Sequence, residues 1–159
     1  MSLDDWILAL HVLSAFAFVA GTVLFWVLIV AVRRTDSPEG TIRMGPVVAV
    51  GNTATGIGMG GTIVFGIWLA IALDEYRLWD GWVIAALALW VIAAATGQRT
   101  GAAYMRGMTK AEELRSAGQT GSSTELLSLN RTQTGVVMHA LTSLVVLLIL
   151  VDMIWKPGA

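Results

Sequence analysis

A chain of 159 residues that is 56% hydrophobic and only 13% charged is poor material for a soluble domain, in which about 25% of residues are charged. A net charge of −1 offers no basic surface for nucleic acid, and the absence of cysteine excludes disulfides, thiolate ligands, iron–sulfur clusters and cysteine nucleophiles. With a mean hydropathy of +0.73, the composition points to an all-α integral membrane protein whose first partner is the lipid bilayer.

The first apolar run covers about 6–32 and carries no Asp, Glu, Lys or Arg. It exceeds the roughly 20 residues that cross a hydrocarbon core, which predicts a spanning helix. Asp4 and Asp5 stand before it in place of basic residues, so a cleaved leader is not expected. His11 lies inside this run, and an ionisable side chain there is costly enough to be a candidate functional residue. Helical spacing places His11, Ser14, Phe18, Gly21 and Phe25 on one stripe.

The second run, about 46–73, is rich in glycine: Gly51, Gly56, Gly58, Gly60, Gly61 and Gly66, with Gly45 just before it. Gly56 and Gly60 have the small-xxx-small spacing that lets helix backbones approach closely in lipid. Three uses fit that pair: packing within the bundle, a seam with another subunit, or room for a flat ligand. The third run covers about 81–103. It is followed by a polar stretch, about 104–133, in which Met105 to Ala117 either continues the helix or forms an interfacial turn. Gly118 to Thr124 reads as flexible loop. A fourth run covers about 134–155. Together the runs predict one integral membrane domain over 1–159, an antiparallel up-down bundle of four transmembrane helices.

Charge gives the expected topology. Arg33, Arg34, Arg43, Arg99, Arg106, Lys110, Arg115 and Arg131 fall on one side, and Arg77 and Lys156 on the other. The positive-inside rule then places the basic loops in the cytoplasm and both termini outside a cytoplasmic (bacterial inner) membrane. Trp6, Tyr76, Trp79, Trp82 and Trp155 collect at the opposite ends of the runs, as an aromatic belt does at an outer interface.

His11 and His139 are the only histidines. At about 1.5 Å per residue, His11 lies roughly 8 Å below the outer belt and His139 roughly 24 Å below it. An offset of about 16 Å is too large for both imidazoles to bind one metal at about 2 Å each. Residues expected at the depth of His11 are Trp68, Ala85 to Leu87, and Leu150 to Asp152, with Asp152 either orienting the imidazole or sitting at the water interface. Those expected near His139 are Asn52, Thr53, Thr96, Gly97 and Gln98. This predicts a polar inner cluster of His139, Asn52, Gln98 and Thr142, serving as hydrogen-bond glue or as a proton or ligand path.

For His11 two readings stand. Its ring is satisfied by a backbone carbonyl or by Ser14, or it is the axial ligand of a haem, with Ser14, Phe18 and Trp68 completing the cofactor site. Isolated copper or zinc suits it less well, since no second donor is expected at that depth. Conventional hydrolase and kinase chemistry is excluded by the lack of an intramembrane carboxylate pair, HExxH or G-x-S-x-G, and Gly56 to Gly61 has no Lys-Ser/Thr after it to make a phosphate loop.

Several short motifs recur in a known group. Leu10-His11 opens the first run, Ala20-Gly21 follows, Arg33-Arg34 closes it, and Gly81-Trp82 precedes Ala85-Ala86-Leu87-Ala88-Leu89. In these the chain resembles small four-helix bacterial membrane proteins related to HemJ-type protoporphyrinogen oxidases and CopD-type copper-resistance proteins. The resemblance implies haem b bound through His11. The lysine that follows the Gly-Trp pair in the HemJ type is Ala86 here, so the implied activity is haem binding without that oxidase lysine. The expectation is a small haem-binding or redox-accessory membrane protein. Its rivals are a non-enzymatic subunit of a homo-oligomer or larger membrane complex, packed through the glycine-rich second helix, and copper or other metal handling.

Overall fold

The computed structural model describes residues 2–72 and 77–157. Tyr76 of the expected belt and residue 73 at the end of the second run lie outside them. Six helices follow in order: α1 (Leu3–Val32), α2 (Pro38–Ile42), α3 (Gly45–Ala72), α4 (Gly81–Ser116), α5 (Thr124–Asn130) and α6 (Gln133–Trp155). No strand occurs among the described residues. Four of the helices, α1, α3, α4 and α6, are long and apolar enough to cross a membrane. They form two antiparallel pairs, α1 with α3 and α4 with α6. The start of α1, the end of α3, the start of α4 and the end of α6 share one end of the bundle, here the terminal end. The short helices α2 and α5 lie at the other, the connector end.

Local chemistry explains the boundaries. Ser2 caps α1 in a capping box, its hydroxyl accepting from Asp5 N while the Asp5 carboxylate accepts from Ser2 N. Ser37 caps α2 ahead of Pro38, whose fixed φ suits a first helical position. Inside the bundle, hydroxyls return to their own helix: Ser14 donates to Leu10 O, Thr22 to Phe18 O and Thr100 to Thr96 O. These bonds satisfy polar groups where lipid offers no partner.

At the connector end the stretch from Met105 continues the third spanning helix, the first of its two readings, and α4 runs on to Ser116. The continuation is held because Gly107, Ala111 and Leu114 face inward, and Ala111 and Leu114 pack with Leu126 of α5 and Ile42 of α2. The polar stretch accordingly contains α5 as well as loop. Asn130 ties these pieces together. Its Nδ2 donates to Thr35 O at 3.0 Å and to Thr41 Oγ1 at 2.9 Å, and a Cβ on Gly107 would meet its Oδ1 at 2.5 Å. Asn130→Leu is expected to cost about 2–3 kcal/mol, since two donor bonds vanish and Thr35 O and Thr41 Oγ1 lose their donor. The readout is faster proteolytic cleavage between 117 and 123, with the four long helices still protected.

Glycine packing differs from expectation. Gly56 and Gly60 are exposed, with nothing within 4 Å of an added Cβ. The close seam between α1 and α3 uses another row. A Cβ on Gly58 would meet Phe18 Cα at 2.6 Å and Ser14 O at 2.8 Å, and one on Gly21 would meet Thr55 N at 2.9 Å. Positions 56 and 58 differ by about 200° around a helix, so a glycine-rich helix presents glycine on opposite faces. The small-xxx-small pair faces outward and Gly58 faces the partner helix.

Candidate ligand cavity

A cavity of about 290 Å³ lies at the terminal end and is lined by all four long helices. The reason lies in how the two pairs are joined. The hydrogen bonds that tie α1–α3 to α4–α6 sit in the middle and the connector-side half. His139 Nε2 meets Thr22 O at 3.0 Å, Trp26 Nε1 donates to Ser143 Oγ at 2.9 Å, and Trp90 Nε1 donates to Met59 O at 3.1 Å. Towards the terminal end the pairs part, and small residues in the walls, Gly66, Ala70 and Ala86, leave the space between them.

His11 lines this cavity. Its ring lies against the α3 backbone at Gly66, where an added Cβ would stand 3.0 Å from Cε1 and 3.3 Å from Nδ1. The Thr62 carbonyl also lies near enough to act on the ring as an acceptor, but no contact to Nδ1 reaches hydrogen-bond geometry. Nδ1 is buried and has no hydrogen-bond partner. A buried polar atom in this state is costly, and it stands ready for one hydrogen bond or one metal bond. The remaining wall is mostly apolar, with the indoles of Trp82 and Trp90 and the side chains of Leu87, Ile149 and Met153. Lys156 contributes at the rim, its Nζ 5.6 Å from the centre of the Trp82 ring.

Of the residues expected to hold a cofactor, only His11 lines the cavity. Ser14 is buried against α3 at Gly61, and its hydroxyl is used by Leu10 O. Phe18 is a core residue packed with Ala93, Val145, Val146 and Ile149. Trp68 points away from the bundle and is 49% exposed. Asp152 is buried with Oδ2 unpaired, but it does not line the cavity beside His11. Ala86 and Leu87 do line it, at the depth expected for them.

The expected inner cluster does not assemble. Asn52 and Gln98 are exposed, and Asn52 borders a separate cavity of about 100 Å³ at the connector end. His139 is 3% exposed and is spent on α1, through Thr22 O and through edge-on contacts with Trp26 and Phe25 at 4.9 and 6.1 Å between ring centres. Thr142 donates to Thr96 Oγ1 at 2.8 Å, joining α6 to α4. Thr22, which His139 meets, is eleven residues beyond His11 on α1, or roughly 16 Å along the axis. The two imidazoles therefore belong to different levels, as the depth argument required.

Residues that sequence reasoning did not bring to the site are Thr62, Gly66, Trp82 and Trp90. Trp82 reads as a belt residue but is buried. Gly66 was one glycine among several. What separates it is its place on the row Gly58, Thr62, Gly66, one turn apart and facing α1. Among the described residues no group of three or more His, Asp or Glu side chains could hold a metal ion. A haem iron could take Nδ1 of His11, and the space beside it, about 290 Å³, stands at the lower edge of the usual pocket range of about 300–1,000 Å³. Comparison of the chain with protein-family models, curated proteins and solved structures found no match.

Proposed function

We propose that this protein is a membrane-embedded binding protein for a small, lipid-soluble ring compound, held at the terminal end through His11. The observation that carries the reading is the buried, unpartnered Nδ1 of His11 in the wall of an otherwise apolar cavity. Such a pocket, mostly apolar with one placed polar group, is what ligand sites look like. The resemblance to HemJ-type and CopD-type proteins adds weight to the first-helix histidine as the contact. The size of the space favours a ring smaller than a porphyrin. The distribution of basic residues supports a terminal end facing outside, which would put the cavity in the outer half of the cytoplasmic membrane.

A second reading, an accessory subunit of a homo-oligomer or a larger complex, draws on the outward row of Gly56 and Gly60. The two are separated by purifying wild type and His11→Ala in detergent, then measuring absorption spectra and the mass spectra of solvent extracts. The expected result is one lipophilic compound per wild-type chain, lost in His11→Ala while the helical signal is unchanged. A Soret band would identify that compound as haem. Equal extracts from both proteins would sink the binding reading.

A further inference from the structure

The cavity has a side opening. Leu8 and Val12, both in its wall, are 51% and 43% exposed. They lie two heptads before Thr22 and Trp26, on the flank of α1 that meets α6 at His139 and Ser143. Where that flank is joined to α6 it is closed; at Leu8 and Val12 it is open. In a bilayer this gap faces acyl chains, since both of its α1 lips are aliphatic. A ligand using it arrives through lipid and can leave a tail there.

Four features restrict what fits. The space, about 290 Å³, suits a small ring system better than a macrocycle. Indoles of Trp82 and Trp90 and the small residues Gly66 and Ala86 suit a flat body better than a branched one. Nδ1 of His11, buried in the wall, needs one acceptor or donor on that body. Among the lining residues the one full charge is Lys156, at the rim, so the enclosed part of the ligand is neutral. An acyl chain would leave Nδ1 as it is, and a charged head group would bring a charge into an apolar wall.

We infer that the ligand is a lipid-soluble quinone, with one ring carbonyl accepting a hydrogen bond from His11 Nδ1–H and its tail leaving past Leu8 and Val12. This rests on the ligand-binding reading above and names the class of compound. Flat, neutral, tailed and carrying carbonyl acceptors in the ring plane, quinones meet all four restrictions.

The test uses the full chain in nanodiscs of quinone-free lipid, titrated with a short-tailed benzoquinone while tryptophan emission is followed. Saturable quenching at one quinone per chain is expected. Affinity should fall roughly tenfold in His11→Leu, the loss of about one hydrogen bond, and recover in His11→Gln, which restores a donor. Gly66→Val, which pushes a side chain against the imidazole, should weaken it without touching the quinone carbonyl directly. A tailed benzene lacking the carbonyls should quench only in proportion to its concentration in the lipid. If the quinone also behaves that way, and equally in all variants, the quinone assignment is overturned. Should a different compound be extracted in a His11-dependent manner, the binding reading survives that failure; if extracts are also equal, both fall.

Discussion

Gly58→Leu is expected to part α1 from α3 and to destabilise the bundle by at least about 3 kcal/mol, the upper part of the overpacking range. Even the first atom of a side chain at 58 would fall 2.6 Å from Phe18 Cα and 2.8 Å from Ser14 O, and both are backbone atoms that no rotamer change can move. Relief requires the helices to separate, and separation breaks the run of contacts on either side, with Gly21 against Thr55 and Gly51 against Phe25. In lipid the loss is severe for a further reason. Apolar side chains gain little from leaving acyl chains, so helix association depends on close packing itself. Gly56→Leu and Gly60→Leu provide the contrast, because nothing stands within 4 Å of either position. Both should leave unfolding by a denaturing detergent within about 0.5 kcal/mol of wild type, as surface changes usually do. If Gly56→Leu proves as damaging as Gly58→Leu in monomeric preparations, the assignment of the seam is wrong.

That contrast also marks where the sequence stops being readable. Spanning runs were legible because lipid demands length and apolarity, and a charge-free stretch such as 6–32 admits no other reading. The level of each histidine was legible too, since rise per residue is fixed once the belt tryptophans set a zero. Rotation about the helix axis was not. A soluble helix announces its inner face by being apolar there, whereas Ile57 and Val64 face outward here while Ser14, Thr22 and Thr96 face in. Depth alone therefore grouped His139 with Asn52 and Gln98, and His11 with Trp68. The rotation that decides these cases comes from packing of small residues, and α3 carries glycine on more than one face. The connector end was obscured for a different reason. A helix as short as α5 has almost no periodic signal, and the turn of polar residues before it resembles loop.

His139→Ala is expected to cost about 3 kcal/mol, near the lower end for emptying an aromatic site in a core. The imidazole fills space at a level where α1 and α6 meet, edge-on to Trp26 and Phe25, and it shares this level with the bond from Trp26 Nε1 to Ser143 Oγ. The bond to Thr22 O contributes less than the packing. Measured interhelical hydrogen bonds in a membrane protein average about 0.6 kcal/mol, and the Thr22 carbonyl also belongs to a helix. The order of variants follows from this division. His139→Gln can still donate to Thr22 O but has no ring to set against Trp26, so it should recover only a minor share of the loss; His139→Phe keeps a ring, forgoes the bond and should recover more. Unfolding midpoints in mixed detergent give the ranking. If Gln proves the better replacement, His139 acts chiefly through its polar contact. If Ala is neutral, the joint between the two helix pairs lies elsewhere, and the parting of those pairs at the terminal end, which makes the cavity beside His11, needs another explanation.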